Sequence, residues 1–230
     1  MADVIFLHKS LDVVSYPSIV LSASLTTFDS SYPSTNLQDG YSSTQGRTAD
    51  TADAQAIVFD LGASYAIDSI GILNHNYAAL NPATSLLLEY ADDAAFTVNK
   101  TTAANLKSLI NNAFIYRTLT SATKRYWRLQ INNGAILSNV VAIGEIFLGA
   151  RFDHTYKYRI GSISAYGYDN VTQTAWDGTS SGYQKHSSLR NRISLDFQIL
   201  GTAYKSNFDA WFQTVKGRCR SFMMSVDAGT

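Results

Sequence analysis

The chain has 230 residues and balanced charge, 18 Lys and Arg against 18 Asp and Glu. Neutrality excludes attraction to nucleic acid or an anionic membrane through a net field, and 46% hydrophobic residues exclude a disordered chain. Charged residues are only 16% of a chain that carries 14 tyrosines, against roughly 25% charged in an ordinary soluble domain; this low charge points to surfaces that are covered in an assembly.

The length suits one large all-β domain or two ordinary ones. The first apolar run, residues 4–7, is shorter than the about 7–15 residues of a secretory core, so no signal peptide is expected. No apolar run reaches the roughly 18 residues of a membrane span. Residues 19–25 alternate, and 26–54 are rich in Ser, Thr, Asp and Gly. Strands are predicted at 56–61, 67–73, 85–90, 126–131 and 140–148, each rich in Val, Ile, Leu and aromatics and bounded by turn residues. Residues 102–110 fit a helical turn or a loop. Short strands at these intervals, with no long helical period between them, predict a β-sandwich.

After Gly149 and Ala150 the texture changes. All three prolines lie earlier, and aromatics cluster at Phe152, Tyr156, Tyr158, Tyr166 and Tyr168. Strands are predicted at 156–168 and 192–200, separated by a polar excursion over 169–188 that holds the turn pairs Asp177-Gly178 and Ser181-Gly182. Phe208, Trp211, Phe212 and Val215 then recur at helical spacing and make one apolar stripe. Ser206 suits the N-cap, and Gly217 the residue after the last turn. A strand at 221–226 follows. The expected architecture is mainly β: a sandwich over 1–150 and a smaller α+β, strand–helix–strand domain over 151–230, with the natural product continuing past Thr230.

Motifs for catalysis are absent. There is no Gly-x-Ser-x-Gly elbow, no His-Glu-x-x-His pair and no Gly-rich phosphate loop. His8, His75, His154 and His186 stand singly, which is ordinarily a structural histidine rather than a catalytic one. Cys219, the single cysteine, excludes a disulfide framework. It lies between Arg218 and Arg220, which would activate it if exposed, yet it leads into an apolar strand as a small buried hydrophobe would. Lys216, Arg218 and Arg220 form a basic patch suited to a solvated helix end or an acidic neighbour. The sequons at Asn99 and Asn170 fit coincidence in an Asn/Ser/Thr-rich chain. The expectation is a protein that is not an enzyme.

Four stretches of the first domain carry more information. Residues 32–40, Tyr-Pro-Ser-Thr-Asn-Leu-Gln-Asp-Gly, form a turn in which Asn36 and Asp39 can bond their own backbone. Residues 56–62 make a strand ending Asp60-Leu61-Gly62. Residues 124–131 alternate, with Tyr126, Arg128 and Gln130 on one face and Trp127, Leu129 and Ile131 on the other. In 143–149, Ile143, Glu145 and Phe147 share a face and Ile146 and Leu148 take the other. In this order they resemble the discoidin, or coagulation factor 5/8 type C, domain, a galactose-binding-like jelly-roll β-sandwich. The resemblance covers residues 15–149, with residues 89–96 in the middle slot.

The stretch 70–76, ending Asn74-His75-Asn76, resembles discoidin-like domains of tailed-bacteriophage tail proteins. Residues 192–200, Trp211-Phe212, 216–218 and Ser221-Phe222 resemble segments of tail and baseplate proteins. The resemblance implies a structural component of a phage tail tip or baseplate, located in the virion, that assembles as a ring-like homo-oligomer with other tail proteins. The alternative is a carbohydrate-binding module for host surface glycans; a glycan-degrading enzyme is a third reading, with no acid pair or nucleophile motif behind it. The resemblance also implies calcium held by Asp39 and Glu145, against a reading in which Asp39 caps its turn and Glu145 pairs with an Arg. Tyr41-Ser42-Ser43 departs from the family's Thr-Arg-Trp, which leaves the other calcium ligands unmatched. Tyr32, Tyr41 and Tyr77 suit either a sugar platform or, with Trp211 and Phe212, a subunit interface.

Overall fold

The computed structural model of the chain describes residues 4–8, 19–21, 27–39, 41–52, 55–80, 85–132, 136–154, 163–167, 170–174, 180–184, 190–194, 205–206, 208–210, 213 and 222–225. Two unusually long strands organise the first domain: β4 (Gln55–His75) and β7 (Phe114–Asn132), preceded by β1 (Val4–His8), β2 (Ile19–Leu21) and β3 (Gly46–Arg47). Between them lie β5 (Ser85–Ala91) and β6 (Thr101–Asn105), and β8 (Ala142–Gly149) follows. Hydrogen bonding gives the antiparallel order β3-β8-β4-β7-β5-β6, with β2 also on β4.

The long strands serve two layers. The first half of β4 pairs with the second half of β7, Ile57 opposite Leu129 and Phe59 opposite Trp127, while its second half pairs with the start of β7 and with β8. The register shifts between Asp60 and Tyr65 and again after Ile67, and Gly62 takes φ +70° there, a value that favours glycine. Irregularities of this kind let one strand bend from layer to layer. Asp60 fastens the bend: its two oxygens accept from Arg125 Nε at 2.5 Å and Arg125 Nη2 at 2.8 Å, and Oδ1 also accepts from Gly62 N at 2.9 Å.

Beside a small cluster of Val58, Ala91 and Phe96, one large apolar core runs along these strands. Ile57, Phe59, Ile67, Ile70, Ile72, Leu86, Leu88, Trp127, Leu129, Ile146 and Leu148 all belong to it. The predicted alternation of 126–131 holds, since Trp127, Leu129 and Ile131 are fully buried and their neighbours are not. The fold is mainly β, and three of the motif stretches, on β4, β7 and β8, lie side by side in it. A mainly β first domain is what the sequence leads one to expect.

Several expectations change. Residues 56–61 and 67–73 are one strand rather than two. Strand β7 begins at Phe114, where a run of mixed exposure gave no clear alternation. Residues 102–110 divide into strand β6 and a 3-10 turn, Lys107–Leu109. Every residue of β8 is buried, so both of its faces are covered.

The N-terminal strand β1, grouped by sequence with the first 150 residues, pairs on one side with β9 (Arg151–His154) and on the other with a C-terminal strand, Phe222–Ser225. That pairing joins the two ends of the chain, which no local pattern could announce. Further strands are β10 (Ile163–Gly167) on β13 (Arg190–Ser194), and β11 (Asn170–Thr174) on β12 (Ser180–Gln184). The polar excursion over 169–188 therefore contains two strands, whose sequence lacks the apolar alternation that marks a half-buried strand. Lys205, Ser206, Phe208, Asp209, Ala210 and Gln213 are helical. Phe208 is half-buried and the others are exposed, as the stripe predicts; Trp211, Phe212, Val215 and Cys219 lie outside the described residues. Among the described residues no helix is long and apolar enough to cross a membrane.

Candidate functional site

The loop between β2 and β4 is built from the inside outward. Leu37, in the 3-10 turn Ser34–Gln38, is fully buried and plugs the core. Gly46 lies against it: a Cβ there would meet Leu37 Cδ2 at 2.9 Å, so a side chain would push the plug out. Asn36 Nδ2 donates to Gln45 O at 2.9 Å, which closes the loop across its base. Asp39 then shapes the tip. Its Oδ1 accepts from Tyr41 N at 2.7 Å and its Oδ2 from Thr44 Oγ1 at 2.6 Å. The first is the local side-chain-to-backbone bond by which Asp stabilises turns, and the second ties in the Thr44 hydroxyl.

The tip is pinned to the sandwich by the stretch after β4. Asn74, at φ +50°, donates from Nδ2 to Ser42 O at 2.7 Å, and Gln45 Nε2 makes a longer bond to Asn74 O at 3.4 Å. Gly144 on β8 permits the approach: a Cβ there would lie 2.3 Å from Ser42 O. Asn76 ties the same stretch to the start of β8, donating to Val140 O at 2.7 Å and accepting from Ala142 N at 2.9 Å. So the Asn74-His75-Asn76 motif acts as a clamp on the loop that holds Tyr41.

Two exposed aromatics stand on this loop. Tyr41 is 68% exposed and Tyr32 is 36% exposed. The Arg47 guanidinium lies 3.9 Å from the Tyr32 ring centroid, within the range of a cation–π contact. Its Nε and Nη2 donate to Gln45 Oε1 at 3.3 and 3.0 Å. Arg47 and Gln45 escape sequence reasoning because neither belongs to a motif. Only the turn chemistry upstream hints that residues 41–47 are held rigid.

The third tyrosine corrects an expectation. Tyr77 is fully buried and offers no surface to sugar or subunit. It opens a 3-10 turn, Tyr77–Ala79, and shares its burial with Leu80. Residues three apart eclipse in such a turn, and that spacing was the available signal. The Tyr77 ring lies 4.8 Å from the His75 ring, and His75 Nδ1 accepts from Tyr77 N at 3.4 Å. His75 Nε2 and the Tyr77 hydroxyl are buried without hydrogen-bond partners among the described residues. Burial pushes the His75 pKa down and the Tyr77 phenol up, so both stay neutral under the rim.

The two residues that the resemblance names for calcium, Asp39 and Glu145, sit in different settings. Both Asp39 oxygens serve their own turn, Glu145 is 1% exposed on β8, and no group of three or more His, Cys, Asp or Glu among the described residues is placed to hold an ion. A calcium cage built on carboxylates would need several such oxygens converging.

No family model matches this chain, and neither does any curated protein. Solved structures of similar shape include a chitosan-binding module of a chitosanase/glucanase from Paenibacillus sp. IK-5, at 19% identity, covering 62% of this chain and 98% of that one, TM-score 0.44. Others are the CBM32 of AlyQ in complex with 4,5-unsaturated mannuronic acid (23% identity, 58% of this chain, 95% of that one, TM-score 0.42) and a CBM32 of Clostridium perfringens (23%, 54%, 88%, 0.41).

Proposed function

We propose that this protein is a non-enzymatic binding module whose first domain captures carbohydrate at the 32–47 rim. One observation carries the reading: an exposed Tyr41 on a loop fastened to the sandwich by Asn74, Gln45 and Asp39. Sugar rings present C–H faces that pack on aromatic rings and hydroxyls that need fixed polar partners. A loop already ordered before binding spares the entropy of ordering it then. A glycan array probed with the full chain tests this. A specific sugar is expected to bind and to be lost in Tyr41→Ala with folding intact; binding to none would overturn the reading.

A second reading is the phage tail-tip or baseplate component that the motifs of 70–76 and of the second domain imply, a virion protein assembling as a ring with other tail proteins. Beyond the motifs, it is favoured by other large apolar side chains left exposed, Tyr65 at 42%, Phe114 at 54% and Ile136 at 73%, because such surface is covered when subunits assemble. Light scattering at high concentration, alone and with tail partners, is expected to show a closed oligomer; a strict monomer in both would count against it.

A further inference from the structure

The geometry points to an acidic sugar, one bearing a ring carboxylate, as the ligand of this rim, with Arg47 as the residue that selects it; this rests on the carbohydrate reading. Arg47 is half-buried and held from several sides. Its backbone N–H donates to Tyr32 O at 3.0 Å, and its carbonyl accepts from Asp29 N at 2.9 Å. The guanidinium is stacked on Tyr32 and oriented by Gln45 Oε1. That acceptor is neutral, so it aims the fork without cancelling the charge.

The contrast with Arg125 and Arg128 is the argument. Arg125 is paired with Asp60 and Arg128 with Glu89. Among the described residues no carboxylate pairs with Arg47. The loop's described acids make bonds of their own: Asp29 Oδ1 to Ser31 N at 2.8 Å, Asp39 to Tyr41 and Thr44, and Asp50 Oδ1 to Ala52 N at 3.0 Å and Gln55 Nε2 at 3.2 Å. Gln45 takes Nε and one N–H of Nη2, and the remaining donors of the fork have no partner among the described residues. A stacked, part-desolvated guanidinium with open donors matches a carboxylate, which it can grip through two parallel bonds. The exposed Tyr41 on the same loop supplies a face for the sugar ring. A uronic acid satisfies both demands, whereas a neutral sugar leaves the charge unanswered.

Calorimetric titration of the full chain with trigalacturonate and with neutral galactotriose tests this, in low salt and in about 0.5 M NaCl, where charge attraction is screened. The acidic trisaccharide is expected to bind tighter by about tenfold or more, with the preference shrinking in salt. Arg47→Gln is expected to abolish the preference, and Arg47→Lys to keep part of it. Loss of packing on Tyr32 alone would weaken both sugars equally, so the ratio separates selection from structure. Equal binding of the two sugars by the wild type, a preference for the neutral one, or an unchanged ratio in Arg47→Gln overturns the proposal and leaves the carbohydrate reading standing. Binding of neither sugar, with an empty glycan array, overturns both.

Discussion

The core of the sandwich and the rim above it are held by different forces. Under β4, β5 and β7 the contacts are apolar: Trp127, Leu88 and Ile70 are fully buried, and Tyr90 packs on Trp127 with ring centroids 5.1 Å apart. At the rim the fastenings are side-chain amides and carboxylates on backbone groups, such as Asn74 on Ser42 and Asp39 on Tyr41. Apolar burial is non-directional and sets how much stability there is, while hydrogen bonds contribute little net stability and much geometry. Damage to the first region should appear as unfolding, and damage to the second as lost recognition.

Trp127→Ala should break the comparison's first side most severely. It empties a fully buried site, and denaturant titration should show a loss of about 3–5 kcal/mol. Next comes the outer face of the same sheet. Glu89 is 3% exposed and accepts from Arg128 Nε at 2.7 Å. Arg128→Ala leaves that carboxylate only the longer contacts of Lys100 Nζ at 3.9 Å and Thr102 Oγ1 at 3.4 Å and should cost on the order of 3 kcal/mol, read by the same titration.

Gly144→Ala sits on the boundary between the regions. The added Cβ cannot lie 2.3 Å from Ser42 O, so the Tyr41 loop must shift. A stability loss of about 1–3 kcal/mol is expected, with sugar binding falling more than the melting temperature implies.

Acid sharpens the comparison at the bend. The Arg125 hydrogen bond holds the Asp60 carboxyl below the usual carboxylate range, with the Gly62 N–H and the charge of Arg125 helping against burial. A folded pKa below the unfolded value gives stability that is present above about pH 4 and lost as pH falls through the folded value. Asp60→Asn should remove that increment, flattening a plot of melting temperature against pH at the acid end. The effect is small, because the pair is part-exposed and screened.

The smallest expected effect is none. We expect Asp39 to serve its turn and Glu145 to serve the buried face of β8, so stripping calcium with a chelator should leave the melting temperature unchanged. A clear drop, restored by calcium alone, would return the ion to the loop.

Much of this was legible before folding. Alternation at 126–131 gave the buried face of β7, because an antiparallel strand with one covered face must alternate. At β8 both faces are covered, so the split of 143–149 into two faces did not tell which is buried. Residues 114–120 were missed because their exposure follows the bend of a long strand rather than a simple two-residue period. At the site, Asp39 as a turn former was readable from Asp-Gly chemistry. The burial of Tyr77 was missed because a tyrosine beside Asn and Ala is equally at home in water and in a core.

Sequence alone determined that this neutral, Tyr-rich chain would form an antiparallel β-sandwich without catalytic motifs, since strand period and turn residues act locally. Only the tertiary structure decided which tyrosines reach solvent. It buried Tyr77 beneath the rim, left Tyr41 exposed and placed Arg47 on Tyr32 without a carboxylate partner among the described residues. Those outcomes depend on contacts between segments distant in sequence, such as Ser42 on Asn74 and Gly144, which no local pattern encodes.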